Sequence, residues 1–122
     1  MKRNILLTVF FALWSLFSFA LVTLPSIFSD NMVLQQNATV KIWGWAKPYE
    51  EITVTTSWDN KSYKVMTDNT MSWSVDVTTP EGSFTPYEIT VEGWRKLTLK
   101  NVLIGEVWLC SGQSNMEWSP RN

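Results

Sequence analysis

The sequence contains no histidine, a single cysteine and few charged residues. Its 122 residues carry 10 lysines and arginines against 11 aspartates and glutamates, a net charge of −1. A zinc site of the usual cysteine–histidine type cannot be assembled from these residues, and we expect neither a metal nor a cofactor. Histidine is also the general base of most serine and cysteine hydrolases, and this chain supplies none. Without clustered lysine and arginine, no binding of nucleic acid is expected.

The first twenty residues have the pattern of a targeting segment. A short basic start is followed by residues 5–19, which carry no charge, and Ser18 and Ala20 are small residues at the two positions that signal peptidase recognises. This pattern predicts a signal peptide, residues 1–20, and a secreted or periplasmic product with no stable membrane span after cleavage. An uncleaved anchor helix is the alternative, because the apolar run extends to Leu24, close to the ~20 residues that span a bilayer.

The lone cysteine is Cys110. Cleavage of the signal would leave a mildly acidic chain with 8 basic and 11 acidic residues, in a compartment that permits disulfides. Cys110 lies in the apolar run 107–110 and has no partner, so we predict a small buried hydrophobic residue. A catalytic thiol is the alternative, but no basic residue lies nearby in the sequence to activate it.

From Thr23 onward the hydrophobic residues alternate with polar ones, and helical periodicity is absent. The alternation predicts strands over residues 39–46, 51–58, 61–67, 71–78, 87–94 and 97–103. In residues 71–78, Met71, Trp73, Val75 and Val77 are predicted to point one way and Ser72, Ser74 and Asp76 towards water. Asp59 and Asn60 form a two-residue step typical of a hairpin. Short strands with polar turns between them predict an antiparallel β-sandwich over residues 21–104.

The pattern changes near the end of the chain. Residues 106–110 (EVWLC) end in four apolar residues without alternation, which predicts a strand buried on both faces, as in a parallel sheet covered by helices. The small and polar residues 111–115 follow, and Gly112 would permit a sharp turn. A strand, a glycine–serine turn and a helix present the nucleophile in many α/β enzymes. We therefore predict that residues 105–122 begin a second, α/β domain that is truncated here.

Two stretches resemble a known family. Residues 102–118 (VLIGEVWLCSGQSNMEW) resemble the first sequence block of the sialate O-acetylesterase family within the SGNH hydrolases. Residues 24–35 (LPSIFSDNMVLQ) and 41–46 (KIWGWA) resemble the opening strand region of the same family. The resemblance implies that the chain is the N-terminal part of a secreted carbohydrate esterase. Its substrates would be O-acetylated sugars, on sialic acids or on xylan-type glycans.

The resemblance also implies a catalytic residue. The serine of the GQSN motif is the family's nucleophile and corresponds to Ser114, which would form an acetyl-enzyme that water then hydrolyses. The backbone N–H of Ser114 would donate to the oxyanion. The family's other oxyanion donors and its activating histidine come from later blocks that these 122 residues do not contain. We therefore predict that the chain alone has no significant esterase activity.

The neighbours of Ser114 have less defined roles. Gly112, Gln113 and Asn115 belong to the same motif, and Gln113 stands where relatives in the wider superfamily often carry aspartate. Asn115 either helps to orient the turn or only caps it through its side chain. Glu106 and Glu117 are predicted to be solvated or structural, because carboxylate catalysis needs two positioned acids.

Tryptophan is abundant, with eight in the chain. Trp58 and Trp73 fall on apolar strand faces and are predicted to lie in the core. Trp43 and Trp45 instead share a strand face with Lys41. One interpretation is that this pair stacks on sugar rings, which would make the chain a carbohydrate-binding or accessory module without catalysis. The interpretation we favour is that the pair packs against the α/β domain.

Overall fold

The computed structural model describes residues 21–112, and these form seven strands. They are β1 (Val33–Gln35), β2 (Thr39–Trp45), β3 (Glu51–Thr56), β4 (Ser62–Met66), β5 (Ser72–Thr78), β6 (Ser83–Glu92) and β7 (Lys96–Gly105). None of the described residues is helical, so that part of the chain contains no helix able to cross a bilayer. The predicted signal peptide lies outside the described residues.

The strands form two hydrogen-bonded sheets. One has five strands in the order β1-β7-β6-β3-β4 and curls into a half-barrel, and the other pairs β2 with β5. All pairs are antiparallel except β1–β7, which is parallel, with Gln35 opposite Gly105. This parallel pair differs from the purely antiparallel arrangement that the sequence predicts.

Alternation explains the pairing of β2 with β5. Ile42 of β2 lies opposite Val75 of β5, and both are buried. On the outer face, Lys41 lies opposite Asp76, and their charged atoms are 3.0 Å apart. Because side chains alternate across a strand, the register that buries the apolar residues also places this ion pair in water.

One hydrophobic core cluster among residues 21–112 draws on both sheets. Its members are buried hydrophobic residues, most of them from strands of the two sheets: Val22, Leu34, Ile42, Ala46, Ile52, Val54, Trp73, Val75, Val77, Ile89, Val91, Leu99, Val102 and Ile104. Most are β-branched, which suits a pleated and tightly packed surface. Burial of these side chains is therefore what holds the small sheet against the large one.

Thr79 joins the two sheets by hydrogen bonds at one end of the core. Its hydroxyl is 2.6 Å from the carbonyl oxygen of Gln35, the last residue of β1 in the large sheet, and 3.0 Å from that of Ala38. It also accepts a bond from the Ala38 N–H at 3.1 Å. Because Thr79 follows β5 directly, these bonds fix the turn after β1 relative to the small sheet.

The mostly β class predicted from the sequence is confirmed. Each of the six strands predicted from alternation overlaps an observed one, whereas β1 was not predicted as a separate strand. The assignments as a β-sandwich and the domain boundaries stay predictions. Met71 differs from its predicted place on the core face: it is exposed and adopts a φ of 65°, because it lies in the turn before β5.

The strand predicted over residues 106–110 is not formed in the described part of the chain. The chain has no regular secondary structure from 106 to 112, and Trp108 and Leu109 are 82% and 94% exposed. Cys110, predicted to be buried, is exposed as well. A strand buried on both faces needs neighbours on both sides, and no strand among residues 21–112 pairs with this segment.

Candidate functional site

The segment that follows β7 leads towards the predicted nucleophile motif. Gly112 is the last described residue and is exposed. Gln113, Ser114, Asn115 and Glu117 lie outside the described residues, so their roles stay predictions. Residues 21–112 contain no cluster of three or more side chains that could hold a metal ion.

The start of this segment is held by a group that we call the glutamine clamp, formed by Gln35, Gln36 and Glu106. Gln35 Nε2 donates to Glu106 Oε2 at 3.0 Å, and Gln36 Nε2 donates to Glu106 Oε1 at 2.6 Å. The Val107 N–H in turn donates to Gln35 Oε1 at 2.8 Å. Both amides and both carboxylate oxygens are therefore engaged at the point where the chain leaves the sheet.

The local fold explains how two consecutive glutamines reach one carboxylate. Consecutive side chains of a strand point to opposite faces, but β1 ends at Gln35 and a turn follows. Asn37 in this turn has a φ of 47°, in the left-handed region that asparagine tolerates. The Gln36 N–H donates to the Gly105 carbonyl at 2.8 Å, which places Gln36 beside the end of β7.

Hydrogen bonding changes the acidity of Glu106. The bonds from Gln35 and from Gln36 lower the pKa of its carboxyl below the ordinary value, because they favour the charged form. Since the folded pKa is depressed, the charged clamp persists above the unfolded pKa and is lost as the pH falls through the folded pKa. Glu106 is therefore ionised at neutral pH, and both of its carboxylate oxygens accept hydrogen bonds within the described part of the chain.

A row of aromatic rings lies on the outer face of β2. The centroid of Trp43 is 6.2 Å from that of Phe28 and 5.2 Å from that of Trp45, and both pairs meet edge to face, at about 80°. Trp43 and Trp45 are 38% and 42% exposed. Their predicted outward orientation agrees with the structure, and the perpendicular rings do not form one flat platform.

The other two tryptophans singled out from the sequence are more enclosed. Trp73 is buried, as predicted. Trp58 is half-buried against the core and lies edge to face with Tyr87, at 5.8 Å between centroids. It lies in the turn after β3 rather than on the strand, and its Nε1 donates to the Thr78 carbonyl at 3.1 Å.

Two of the depressions that border the aromatic row differ in the polarity of their walls. One is a groove of about 560 Å³ whose walls combine Trp43 and Trp45 with polar residues, including Asp68, Ser72 and Ser74. The other is a cleft of about 340 Å³ lined mostly by apolar side chains. Ile27, Phe28, Met32, Val33, Trp43 and Val107 are among its lining residues. Since Val107 follows the clamp directly, the aromatic face and the segment after β7 belong to one continuous surface.

Comparison with known proteins adds to this geometry. No family model matches the chain. The chain is 35% identical over 101 residues to the sialate O-acetylesterase of Mus musculus and 35% identical over 107 residues to that of Homo sapiens, with 75% of this chain covered in each case. This chain belongs to the sialate O-acetylesterase family. It spans 19% of the length of these relatives.

A solved structure is also similar to this chain. A carbohydrate acetylesterase from Xanthomonas citri superimposes with a TM-score of 0.72 at 37% identity, over 80% of this chain and 22% of that one. The resemblance to the sialate O-acetylesterase family that the motifs indicated is thus confirmed. The chain corresponds to about a fifth of each relative.

The sequence did not indicate the glutamine clamp. Gln35 and Gln36 are about 70 positions from Glu106, so no local pattern connects them. The available signal was weak. It consisted of two consecutive glutamines at the end of one apolar stretch and an isolated glutamate directly before another apolar stretch. Their relationship depends on the parallel pairing of β1 with β7.

Proposed function

We propose that the chain is the N-terminal part of a secreted carbohydrate O-acetylesterase, in which a β-sandwich supports the segment carrying the nucleophile Ser114. The observation that carries this proposal is the structural similarity to a carbohydrate acetylesterase, at a TM-score of 0.72 and 37% identity. The GQSN motif at residues 112–115 and the predicted signal peptide support it. The substrates proposed are acetylated sugars, on sialic acids or xylan-type glycans.

The proposed reaction proceeds in two steps. Ser114 Oγ attacks the acetyl carbonyl carbon and gives its proton to a histidine that a later part of the enzyme supplies, while the Ser114 N–H stabilises the oxyanion. Collapse breaks the ester bond, and the sugar hydroxyl leaves with the proton. Water then hydrolyses the acetyl-enzyme to acetate and regenerates the serine. Because these 122 residues contain no histidine, we expect no turnover from the chain alone.

A chimera tests the proposal. Residues 21–122 would replace the matching segment of the Xanthomonas citri acetylesterase, and release of acetate from an aryl acetate and an acetylated glycan would be measured. We expect turnover by the chimera and a loss of about 10⁶-fold in kcat on the change Ser114→Ala, since the nucleophile is removed. Ser62→Ala, an exposed serine on β4, is the matched control and should leave kcat unchanged.

Two results would contradict the proposal. One is an active chimera that keeps its full kcat when Ser114 is replaced. The other is turnover by residues 21–122 alone that depends on Ser114 and exceeds the buffer rate.

We further propose that the aromatic face, with Trp43 and Trp45, packs against the remaining part of the longer enzyme. Perpendicular, partly exposed rings next to an apolar cleft suit burial by another protein surface better than stacking on a flat sugar ring. The competing function is a carbohydrate-binding module. It is favoured by the groove in which the same tryptophans meet Asp68, Ser72 and Ser74, because sugar sites combine aromatic faces with polar side chains.

Glycan retention separates these two functions. We expect the chain, and the double variant Trp43→Ala/Trp45→Ala, to elute equally from columns of sialylated glycan and acetylated xylan. Phe84→Ala, which removes another exposed aromatic ring, is the control for non-specific retention. Retention of the parent chain that the double variant loses and Phe84→Ala keeps would favour the binding module.

A further inference from the structure

We propose that Glu106, held by Gln35 and Gln36, is a positioning residue that fixes the direction in which the chain leaves β7 towards Ser114. This inference rests on the proposed function of Ser114. It assigns to the glutamine clamp the task of orienting the nucleophile, in addition to any contribution to the stability of the domain.

The geometry of the clamp supports this role. Each oxygen of the Glu106 carboxylate accepts from a different glutamine, at 3.0 and 2.6 Å. Two acceptor bonds to one planar group define its rotation as well as its position, and bonds to a charged acceptor are stronger than neutral ones. The bond from the Val107 N–H to Gln35 Oε1, at 2.8 Å, extends the restraint to the next residue of the backbone.

The clamp is itself anchored to a third segment. The Gly82 N–H, in the turn between β5 and β6, donates to Gln36 Oε1 at 2.7 Å. A Cβ at Gly82 would lie 2.8 Å from that oxygen and 3.1 Å from the carbonyl oxygen of Ile104, so glycine permits this close approach. The exit of β7 is thus tied to the end of β1 and to the β5–β6 turn, and both belong to the packed domain.

The clamp lies only a few residues before Ser114 in the sequence, so it can affect the course of the chain up to that residue. Val107 is the last residue of the segment for which a bond to the domain is found among residues 21–112, and Ser114 follows seven residues later. Because Glu106 and Val107 precede Ser114 in the chain, a change in the backbone direction at these two residues is passed on to the residues that follow. A displacement of about 1 Å at a reacting group can lower a rate by about 10²-fold.

Stability and positioning make different predictions. The clamp lies at the surface, where removal of a single pair changes the free energy of unfolding little. If it served stability alone, its loss would lower the melting temperature and the activity together. If it orients Ser114, kcat falls while KM and the melting temperature stay the same.

The test uses the chimera described above, with Glu106→Gln, Glu106→Ala and Gln36→Ala. We expect kcat to fall by about 10-fold for Glu106→Gln, which keeps one acceptor oxygen, and by about 10²-fold for Glu106→Ala, with KM within twofold of the parent. The double variant Gln36→Ala/Glu106→Ala should be no worse than Glu106→Ala, because both changes break the same contact. Glu92→Gln, an exposed glutamate on β6, is the matched control.

A second measurement needs no catalysis. In the 122-residue chain, Glu106→Ala should accelerate amide exchange at Val107 and cleavage by chymotrypsin after Trp108, with the melting temperature unchanged, and Glu92→Gln should do neither. Unchanged kcat and exchange in Glu106→Ala, or a fall in kcat that follows a fall in melting temperature, would overturn the inference. If Ser114→Ala keeps full kcat while Glu106→Ala loosens the segment, the proposed nucleophile fails and the restraint by the clamp stands.

Discussion

Replacing Gly44 by alanine is expected to destabilise the domain by about 3 kcal/mol, the upper part of the usual range for overpacking a core. Gly44 lies on the buried face of β2. An added Cβ would collide with the carbonyl oxygen of Thr23 and would lie 3.1 Å from both Leu24 Cδ2 and Trp73 Cζ2. The contact with the Thr23 carbonyl oxygen should account for most of the lost stability, because a main-chain oxygen can move only if the backbone around it moves as well.

That backbone oxygen is also engaged. Thr23 and Trp45 exchange two hydrogen bonds, each of 2.9 Å, so displacing Thr23 breaks the pairing of the chain's first described residues with β2. The measurement is urea unfolding of residues 21–122 followed by tryptophan fluorescence. Gly105→Ala is the control, since its Cβ would meet only Val33 Cγ1, at 3.8 Å. Equal unfolding midpoints for Gly44→Ala and Gly105→Ala would contradict this prediction, because they would show that the domain accommodates the added Cβ without losing stability.

Replacing Trp73 by alanine is expected to cost about 4 kcal/mol, as is typical of large aromatic residues removed from a core. Trp73 is 4% exposed and is the largest side chain among the buried hydrophobic residues described. It lies opposite Gly44 in the pairing of β2 with β5, and its ring lies beside the position that a Cβ at Gly44 would occupy. Its removal leaves a cavity at the contact between the small sheet and the rest of the core.

The variant Trp73→Phe separates volume from polarity. Trp73 Nε1 is buried without a hydrogen-bond partner among residues 21–112, so phenylalanine loses no bond and removes an unsatisfied donor. We therefore expect Trp73→Phe to cost much less than Trp73→Ala in the same urea experiment. Trp108→Ala, an exposed tryptophan, should change the free energy of unfolding by less than about 0.5 kcal/mol. Equal losses for Trp73→Phe and Trp73→Ala would contradict this account.

These variants and those of the glutamine clamp act on different levels of the molecule. Gly44 and Trp73 determine whether the two sheets stay packed, and their substitution should lower stability with a proportionate loss of folded protein. Glu106 acts at the surface, after the last strand, and its substitution should leave packing intact. Measuring stability and kcat for both groups of variants therefore separates loss of folding from loss of the orientation of the segment that leads to Ser114.

The sequence by itself determined the strands and their faces. In β5, Trp73, Val75 and Val77 alternate with Ser72, Ser74 and Asp76, and the structure buries the first set and exposes the second. The outward position of Trp43 and Trp45 followed from the same rule. The membership of the family was indicated separately, by the sequence motifs. These features depend on neighbours within a few residues, because the period of two of a strand assigns each side chain to a face.

The tertiary structure alone decided the rest. Three-residue β1 is too short to show alternation, and its parallel pairing with β7 joins residues about 70 positions apart. The apolar stretch 107–110 indicated a buried strand from its composition, yet these residues are exposed, because burial depends on which surfaces are nearby. The glutamine clamp combines both cases: Gln35, Gln36 and Glu106 are ordinary surface residues in the sequence. Their contact arises because the sheet places the end of β1 beside the end of β7.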